Sequence, residues 1–586
     1  MAVRSVCALI LASVCVALAG CRQAVAPPLD DSAARVTSLA DAYVQDYFEA
    51  FPQQALLSGA PEAHPDRLAD HSLAALARWQ AREDDLLRQL KAIDAAKIAG
   101  APQEITYGFL RHQLESAIAF RACRTELWNV SPTYTGWQAD LAVVAGQQGT
   151  ATADQQRSAV ARFSQLPKYL NDEIDNLREG LRLGYTAPKH NVRVVIAQMD
   201  AMLKAPVADS PFVQMAKADN PAFRKELETL ELTRIRPAIK TYRDFLATTY
   251  LPAAREKVGV SENPDGGACY QAAIEYHATV TMTPQHVHDL GIAQMAQIQD
   301  RMREIGRRSF KTEDPETLLK LVKTDPKYLF KSREELIKYA ESAVARARQA
   351  LPKAFGRLPK STVIVEAYPP YREKSAPGGE SVAPTADGKP GKYLINAYKA
   401  EEQSRAGLES VAFHETYPGH QLQGAIALER TGLHPIQKYF FLSGFGEGWA
   451  LYSERLSDEM GLFSGDVDRL GQMSEEAWRA ARLVVDSGLH ALGWSRDQAV
   501  EYLLTHTATT RDAAEAEIDR YIAVPGQSTS YMIGNLEIRR LRDEASAKLG
   551  SKFDLRVFHD LLLEDGALPL SSVRQKVERW VARQSQ

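Results

Sequence analysis

The 586-residue chain is poor in the features that would settle its class at once. It has five cysteines, and no long apolar run after its first twenty residues. The rest of the chain therefore reads as soluble rather than membrane-spanning. Neither sign of charge dominates, and the formal net charge of −4 gives no electrostatic case for binding nucleic acid. A Gly-rich phosphate loop is missing. So is a Gly-x-Ser-x-Gly elbow, which argues against a serine hydrolase of that type. No repeat of 20–50 residues appears, so solenoids and propellers are excluded.

What is there begins at the N-terminus. Arg4 precedes an apolar run from Val6 to Ala19 that ends in Leu18-Ala19-Gly20-Cys21. This resembles a bacterial lipobox, with residues 1–20 as the signal peptide and Cys21 as the lipidated first residue of the mature protein. Residues 21–29, with Ala26-Pro27-Pro28, then form a short tether. Several acyl chains on Cys21 would anchor the protein stably, and the lipid would be its only contact with the membrane. Arg22 rather than Asp after the cysteine points to the periplasmic face of the outer membrane. Cys123 and Cys269 remain in the mature chain. They form either a disulfide, which the periplasm permits, or two inert buried thiols.

Most segments carry apolar residues at three-four spacing and predict helices. These are Gln155–Leu183 (divided near Pro167), Pro221–Val258, Pro284–Arg308 and Ser332–Ala350. Thr283-Pro284 and Asp314-Pro315 are helix starts. Two short strands are predicted, Ser361–Ala367 and Lys392–Asn396. Between them Ser375–Gly391 reads as a mobile loop, either a lid or an excursion without a role. The second strand could receive an extended peptide at its edge near Asn396 and Tyr398. Helices then resume at Glu402–Tyr417, Gly444–Gly461, Asp466–Leu492, Ser495–Thr505, Arg511–Ala523 and Ser530–Leu549. The division expected is a helical half, residues 30–360, and a metal-binding half, residues 361–586, around a central cleft.

The densest chemistry lies in His414-Glu415-Thr416-Tyr417-Pro418-Gly419-His420 and in Gly446-Glu447-Gly448-Trp449. Two histidines and a downstream glutamate are a hydrolytic Zn²⁺ donor set that leaves one position for water. Glu415 is placed as the general base. The histidines are six apart, however, and six helical steps leave them about 120° out of register. A plain helix cannot bring both to one ion, so Pro418-Gly419 must interrupt it. Without such a break they are two unrelated histidines. Glu454, two turns beyond Glu447, is a supporting carboxylate for a ligand histidine, a rival third ligand, or a surface ion-pair partner.

With its His-Glu-x-x-Pro-Gly-His element, the chain resembles the bacterial DUF885 family, most densely from Tyr393 to Gly534. That family is similar in turn to gluzincin metallopeptidases. Glu447-Gly448-Trp449-Ala450 is similar to the Glu-Gly-Phe-Ala element of the M-one aminopeptidases, which implies Glu447 as third ligand. Ser530-Tyr531-Met532-Ile533-Gly534 is similar to the Thr-Tyr-x-Leu-Gly element of the carboxypeptidase Taq family. The resemblance implies a mainly α, gluzincin-like fold with a small β-sheet beside the zinc helices.

Tyr531 is the first candidate for an oxyanion donor and His490 the second. Arg482, Asp486 and His490 share a helix face, either to hold substrate or as an ion-pair network between helices. Arg520 could grip a C-terminal carboxylate, making the enzyme a carboxypeptidase or dipeptidase, unless it pairs with Asp519 or Glu517. His286 and His288 read as surface or packing residues. The expected function is a zinc metallopeptidase of the cell envelope acting on peptide or peptide-like substrates. The alternatives are a catalytically inactive, lipid-anchored binding or scaffold protein, and a zinc amidohydrolase acting on non-peptide amides.

Overall fold

The computed structural model describes residues 31–217, 219–369, 373, 377–385 and 388–585. The expected signal peptide, Cys21 and the tether lie outside them. The chain is mainly helical, with one three-stranded sheet. The expected caps form. Thr283 accepts from the His286 N–H, Asp314 from Thr317 and Ser332 from Glu335, each satisfying an orphan donor of a first turn. The segment around Pro167 splits into Ala153–Phe163 and Leu166–Leu183.

The stretch expected as one helix from Pro221 to Val258 is instead α-helical at Pro221–Leu230 and Arg236–Phe245. Wider π turns follow each, at Glu231–Ile235 and Leu246–Tyr250. Pro237 and Pro252 explain this, since each lacks an N–H and crowds the carbonyl four residues earlier. One extra residue in the preceding turn relieves both faults.

β1 (Val363–Ala367), β2 (Gly379–Val382) and β3 (Gly391–Ile395) form a sheet of order β1-β3-β2, with β1 parallel and β2 antiparallel to β3. This corrects two expectations. Part of the Ser375–Gly391 stretch is a strand, too short and Gly-flanked to show its alternation in sequence. β3 is also the central strand, so its backbone is used on both sides and it offers no edge to a peptide.

The described chain holds two hydrophobic cores. One runs from Leu68 to Ala254 and includes Leu141, Phe163, Phe212 and Tyr242. The larger one joins the N-terminal helices Ser32–Ala50, Leu73–Lys91 and Pro102–Phe120 to the C-terminal helices, from Val36 and Leu110 to Trp449, Leu483 and Val581. At its centre the Asp466–Ala491 helix packs on Pro284–Ile305. A Cβ on Gly291 would lie 2.8 Å from Leu483 Cβ, which shows how close the two helices run.

Cys123 and Cys269 form a disulfide that clasps the base of the segment carrying most of the smaller core. The bond spans 146 residues, so it removes much freedom from the unfolded chain. Replacing both cysteines by serine is expected to lower unfolding stability by roughly 3–5 kcal/mol. Denaturant titration measures this, and an unchanged midpoint would contradict it. Among the described residues no helix is long and apolar enough to cross a membrane.

Candidate metal centre

Local sequence explains how two histidines six apart meet. The Leu408–Glu415 helix stops at Thr416, whose φ of −117° and ψ of −104° leave the helical region. The Tyr417–Pro418 peptide is cis, and a new helix, His420–Glu429, begins directly after Gly419. The Gly419 N–H donates to Phe413 O, and Trp449 Nε1 donates to Pro418 O at 3.0 Å, pinning the break from the neighbouring helix. A Cβ on Gly419 would stand 1.9 Å from His414 O. Gly419→Ala is therefore expected to cost about 1–3 kcal/mol and to displace His420. Thermal unfolding and the metal content of the purified variant test this, and wild-type values for both would remove the steric argument.

The third member comes from the Ser443–Glu459 helix, which crosses Ser530–Leu549 at glycines. A Cβ on Gly448 would lie 2.5 Å from Gly534 Cα, and one on Gly534 would lie 1.9 Å from Gly444 O. Only glycine lets the backbones touch there. That contact sets Glu447 and Tyr531 beside each other, one from each helix.

The outcome is a compact trio. His414 Nε2 is 3.5 Å and His420 Nε2 3.3 Å from the same Glu447 oxygen, and the imidazoles stand nearly perpendicular, at 86°. All three donor atoms lie within 4.8 Å of one another. Donors around a tetrahedral zinc ion are about 3.4 Å apart, so the spacing fits. Among the described residues no other three His, Cys, Asp or Glu gather so closely.

Glu454 is the supporting carboxylate. It is fully buried and accepts from His414 Nδ1 at 2.8 Å and from Ser410 Oγ at 2.6 Å, with Arg479 at 3.9 Å. This turns His414 Nε2 toward the trio and leaves Glu454 no role as a rival ligand. Burial alone would depress His414, but Glu447 and Glu454 outweigh it and lift the imidazole to about 9. Burial alone would raise Glu447, yet the two imidazoles hold it well below the usual carboxylate range. Without metal the trio is thus an ion-paired cluster whose proton a cation would displace.

Glu415 follows His414 at the end of its helix, is partly exposed, and makes no hydrogen bond or ion pair with the described residues. Its carboxylate is uncommitted. Tyr531 is half-buried, and burial, then the Glu447 charge, pushes its phenol up to about 12. The group stays protonated at neutral pH, as a hydrogen-bond donor must. Arg482 lies over the Tyr531 ring, 4.2 Å from its centroid.

Other expected site residues are placed differently. His490 is fully buried. Its Nδ1 accepts from the Val260 N–H at 3.1 Å and its Nε2 donates to Tyr521 O at 3.0 Å. Both ring nitrogens are spent on backbone and burial keeps the ring neutral, so His490 is no oxyanion donor. Asp486 accepts from Tyr270 Oη, the Gly526 N–H and Ser528 Oγ. It holds the turn that aims the Tyr531 helix and does not face a substrate. Arg482 Nε donates to Tyr521 Oη at 2.9 Å and Nη2 lies 3.3 Å from Glu517. Only Nη1, buried and without an acceptor, remains for a ligand.

Arg520 pairs with Glu517 at 2.8 Å and donates to Gln527 at 2.6 Å, so its fork is occupied. The argument for a C-terminal carboxylate falls with it. Asn396 donates to Glu373 O and accepts from the Tyr398 N–H, shaping the turn after β3 rather than presenting an edge. His288 hydrogen-bonds the Asp466–Ala491 helix and His286 is exposed, as expected.

Three residues near the centre carried no signal in sequence. Gln421 ties the sheet to the His420–Glu429 helix through Ser381, Val382 and Lys392. Phe441, 59% exposed, sets its ring 6.3 Å from that of His420. Tyr134, from the N-terminal half and 48% exposed, lies within electrostatic reach of Arg520 and Glu447.

No curated protein matches the chain. Solved structures do, among them two of proteins provisionally described as lipoproteins. One, from Colwellia psychrerythraea, is 26% identical with a TM-score of 0.87, covering 94% of this chain and 99% of that one. The other, from Shewanella oneidensis and described as of unknown function, is 19% identical with a TM-score of 0.70, covering 92% and 99%. It shares the fold. The family model for bacterial proteins of unknown function DUF885 matches residues 52–577, and on that match the chain belongs to the DUF885 family.

Proposed function

We propose that this chain is a zinc-dependent hydrolase of the bacterial cell envelope, with peptide bonds as its substrate class. The observation that carries the reading is the convergence of His414, His420 and Glu447 beside the uncommitted carboxylate of Glu415. The order of parts also supports a gluzincin-like plan. Two histidines and a base come from one interrupted helix, the third ligand from the next but one, and a small sheet is bound alongside by Gln421.

Zinc, when bound, acts as a Lewis acid and acidifies water. Glu415 then takes up the proton released at its carboxylate and returns it to the leaving amine. Tyr531 offers its protonated phenol to the developing oxyanion. Arg482 Nη1, unsatisfied among protein groups, is the remaining donor for a polar group of the substrate. The committed fork of Arg520 removes the earlier support for carboxypeptidase or dipeptidase action, so no end preference is assigned. The lipobox-like segment ending at Cys21, the provisional lipoprotein description of the Colwellia structure and a disulfide suited to an oxidising compartment support a lipid-anchored envelope protein, and Arg22 after Cys21 favours the periplasmic face of the outer membrane.

The test is metal content of the purified protein, then cleavage of a mixed peptide pool with and without chelator. Zinc in equimolar amount and cleavage that chelator stops and zinc restores are expected. Bound zinc with no cleavage would favour a binding lipoprotein. Cleavage confined to non-peptide amides would favour the amidohydrolase.

A further inference from the structure

On the larger core's surface, four helices bring three arginines to one carboxylate. Glu476, on Asp466–Ala491, is 2% exposed. Arg301, from Pro284–Ile305, donates to it at 2.6 Å. Arg455, from Ser443–Glu459, and Arg539, from Ser530–Leu549, stand 4.0 and 3.8 Å from its other oxygen. Gln472 also donates to it, at 3.2 Å. Neither Arg455 nor Arg539 makes a hydrogen bond with a described residue. The Glu459–Arg542 pair nearby is internally balanced.

One carboxylate needs one cation. Three guanidiniums leave a local excess of two positive charges whose outer N–H groups reach solvent, the side chains being 27, 37 and 24% exposed. Burial and the like charges of Arg539 and Arg301 press the Arg455 guanidinium below its ordinary value, against the pull of Glu476 and of Glu459, itself paired with Arg542. Such mutual repulsion disfavours the folded state unless a further anion offsets it.

We infer that Arg301, Arg455 and Arg539 form a binding site for a doubly charged oxyanion, a phosphate or phosphomonoester, held over the Glu476 carboxylate. The charge matches, since a phosphomonoester carries about −1.5 to −2 at neutral pH. The geometry matches too, because planar guanidinium forks bind phosphate oxygens in pairs. The fixed Glu476 keeps the three forks gathered, while Arg455 and Arg539 keep donors to spare. The site is distinct from the metal centre. Arg455 follows Glu454 in the helix and faces about 100° away from it. Either a free phosphate or a phospholipid headgroup offers this chemistry.

The test uses the purified full chain. Inorganic phosphate at roughly 10 mM, against chloride at matched ionic strength, is expected to raise Tm by about 2 °C. Arg455→Gln and Arg539→Gln should each lose that rise while keeping, or exceeding, the wild-type Tm in chloride. Arg301→Gln, which removes the hydrogen-bonded partner, should lower Tm in chloride. Short-chain phosphatidic acid below its micellar concentration forms the second arm. A response to it and not to inorganic phosphate assigns a lipid headgroup, and a response to both assigns the phosphate group itself. No response to either, or an equal response in the variants, overturns the site. So does an Arg455→Gln protein as destabilised in chloride as Arg301→Gln, because the arginines would then serve only to neutralise Glu476.

Discussion

Glu415→Gln is expected to reduce turnover by about 10²–10⁴-fold while the protein keeps its full complement of zinc. The amide has the shape of the carboxylate but cannot accept the proton. Glu415 touches no described residue through a hydrogen bond or ion pair, so its replacement removes no structural contact and should leave Tm unchanged. Single-turnover rates on any peptide that the wild type cleaves, with metal measured on the same sample, check this. A variant that holds zinc and keeps its rate would remove Glu415 as the base. Loss of zinc along with activity would make it a ligand instead.

The second large effect concerns metal retention. Glu447→Gln should abolish stoichiometric zinc binding, because it removes the one anionic donor and leaves two imidazoles without the charge that gathers them. Glu454→Gln should be milder, weakening zinc affinity about 10–100-fold, since it touches the ion only through His414 Nδ1. Competition with a chromogenic chelator ranks the two. Equal losses would mean that Glu454 is itself a ligand, contrary to its hydrogen bonds to His414 and Ser410.

Periodicity and capping chemistry made the helical elements legible. Arg511–Ala523 and Ser530–Leu549 have the bounds read from sequence. The interrupted helix was legible as a necessity, because residues six apart cannot share a helix face and Pro418-Gly419 stood where a break was needed. Less was legible on Asp466–Ala491. Spacing put Arg482, Asp486 and His490 on one side, and they are on one side. Sequence could not say that Val260, Tyr270 and Tyr521 cover that side and take up its donors and acceptors. Arg520 had an acidic neighbour three residues back, and the local pair with Glu517 prevailed over any distant ligand. β2 escaped notice because four residues are too few to display alternation.

Composition, spacing and local stereochemistry, all readable along the chain, determined that the molecule would be helical, that a proline-glycine break would separate two histidines, and which residue types could hold a cation. Only the tertiary structure decided which polar side chains gather at the His414, His420 and Glu447 trio and which are consumed elsewhere inside the protein. That depends on the crossing of helices at Gly448 and Gly534 and on partners far away in sequence. A hydrogen bond or ion pair forms by distance in space, and one-dimensional order carries little information about it.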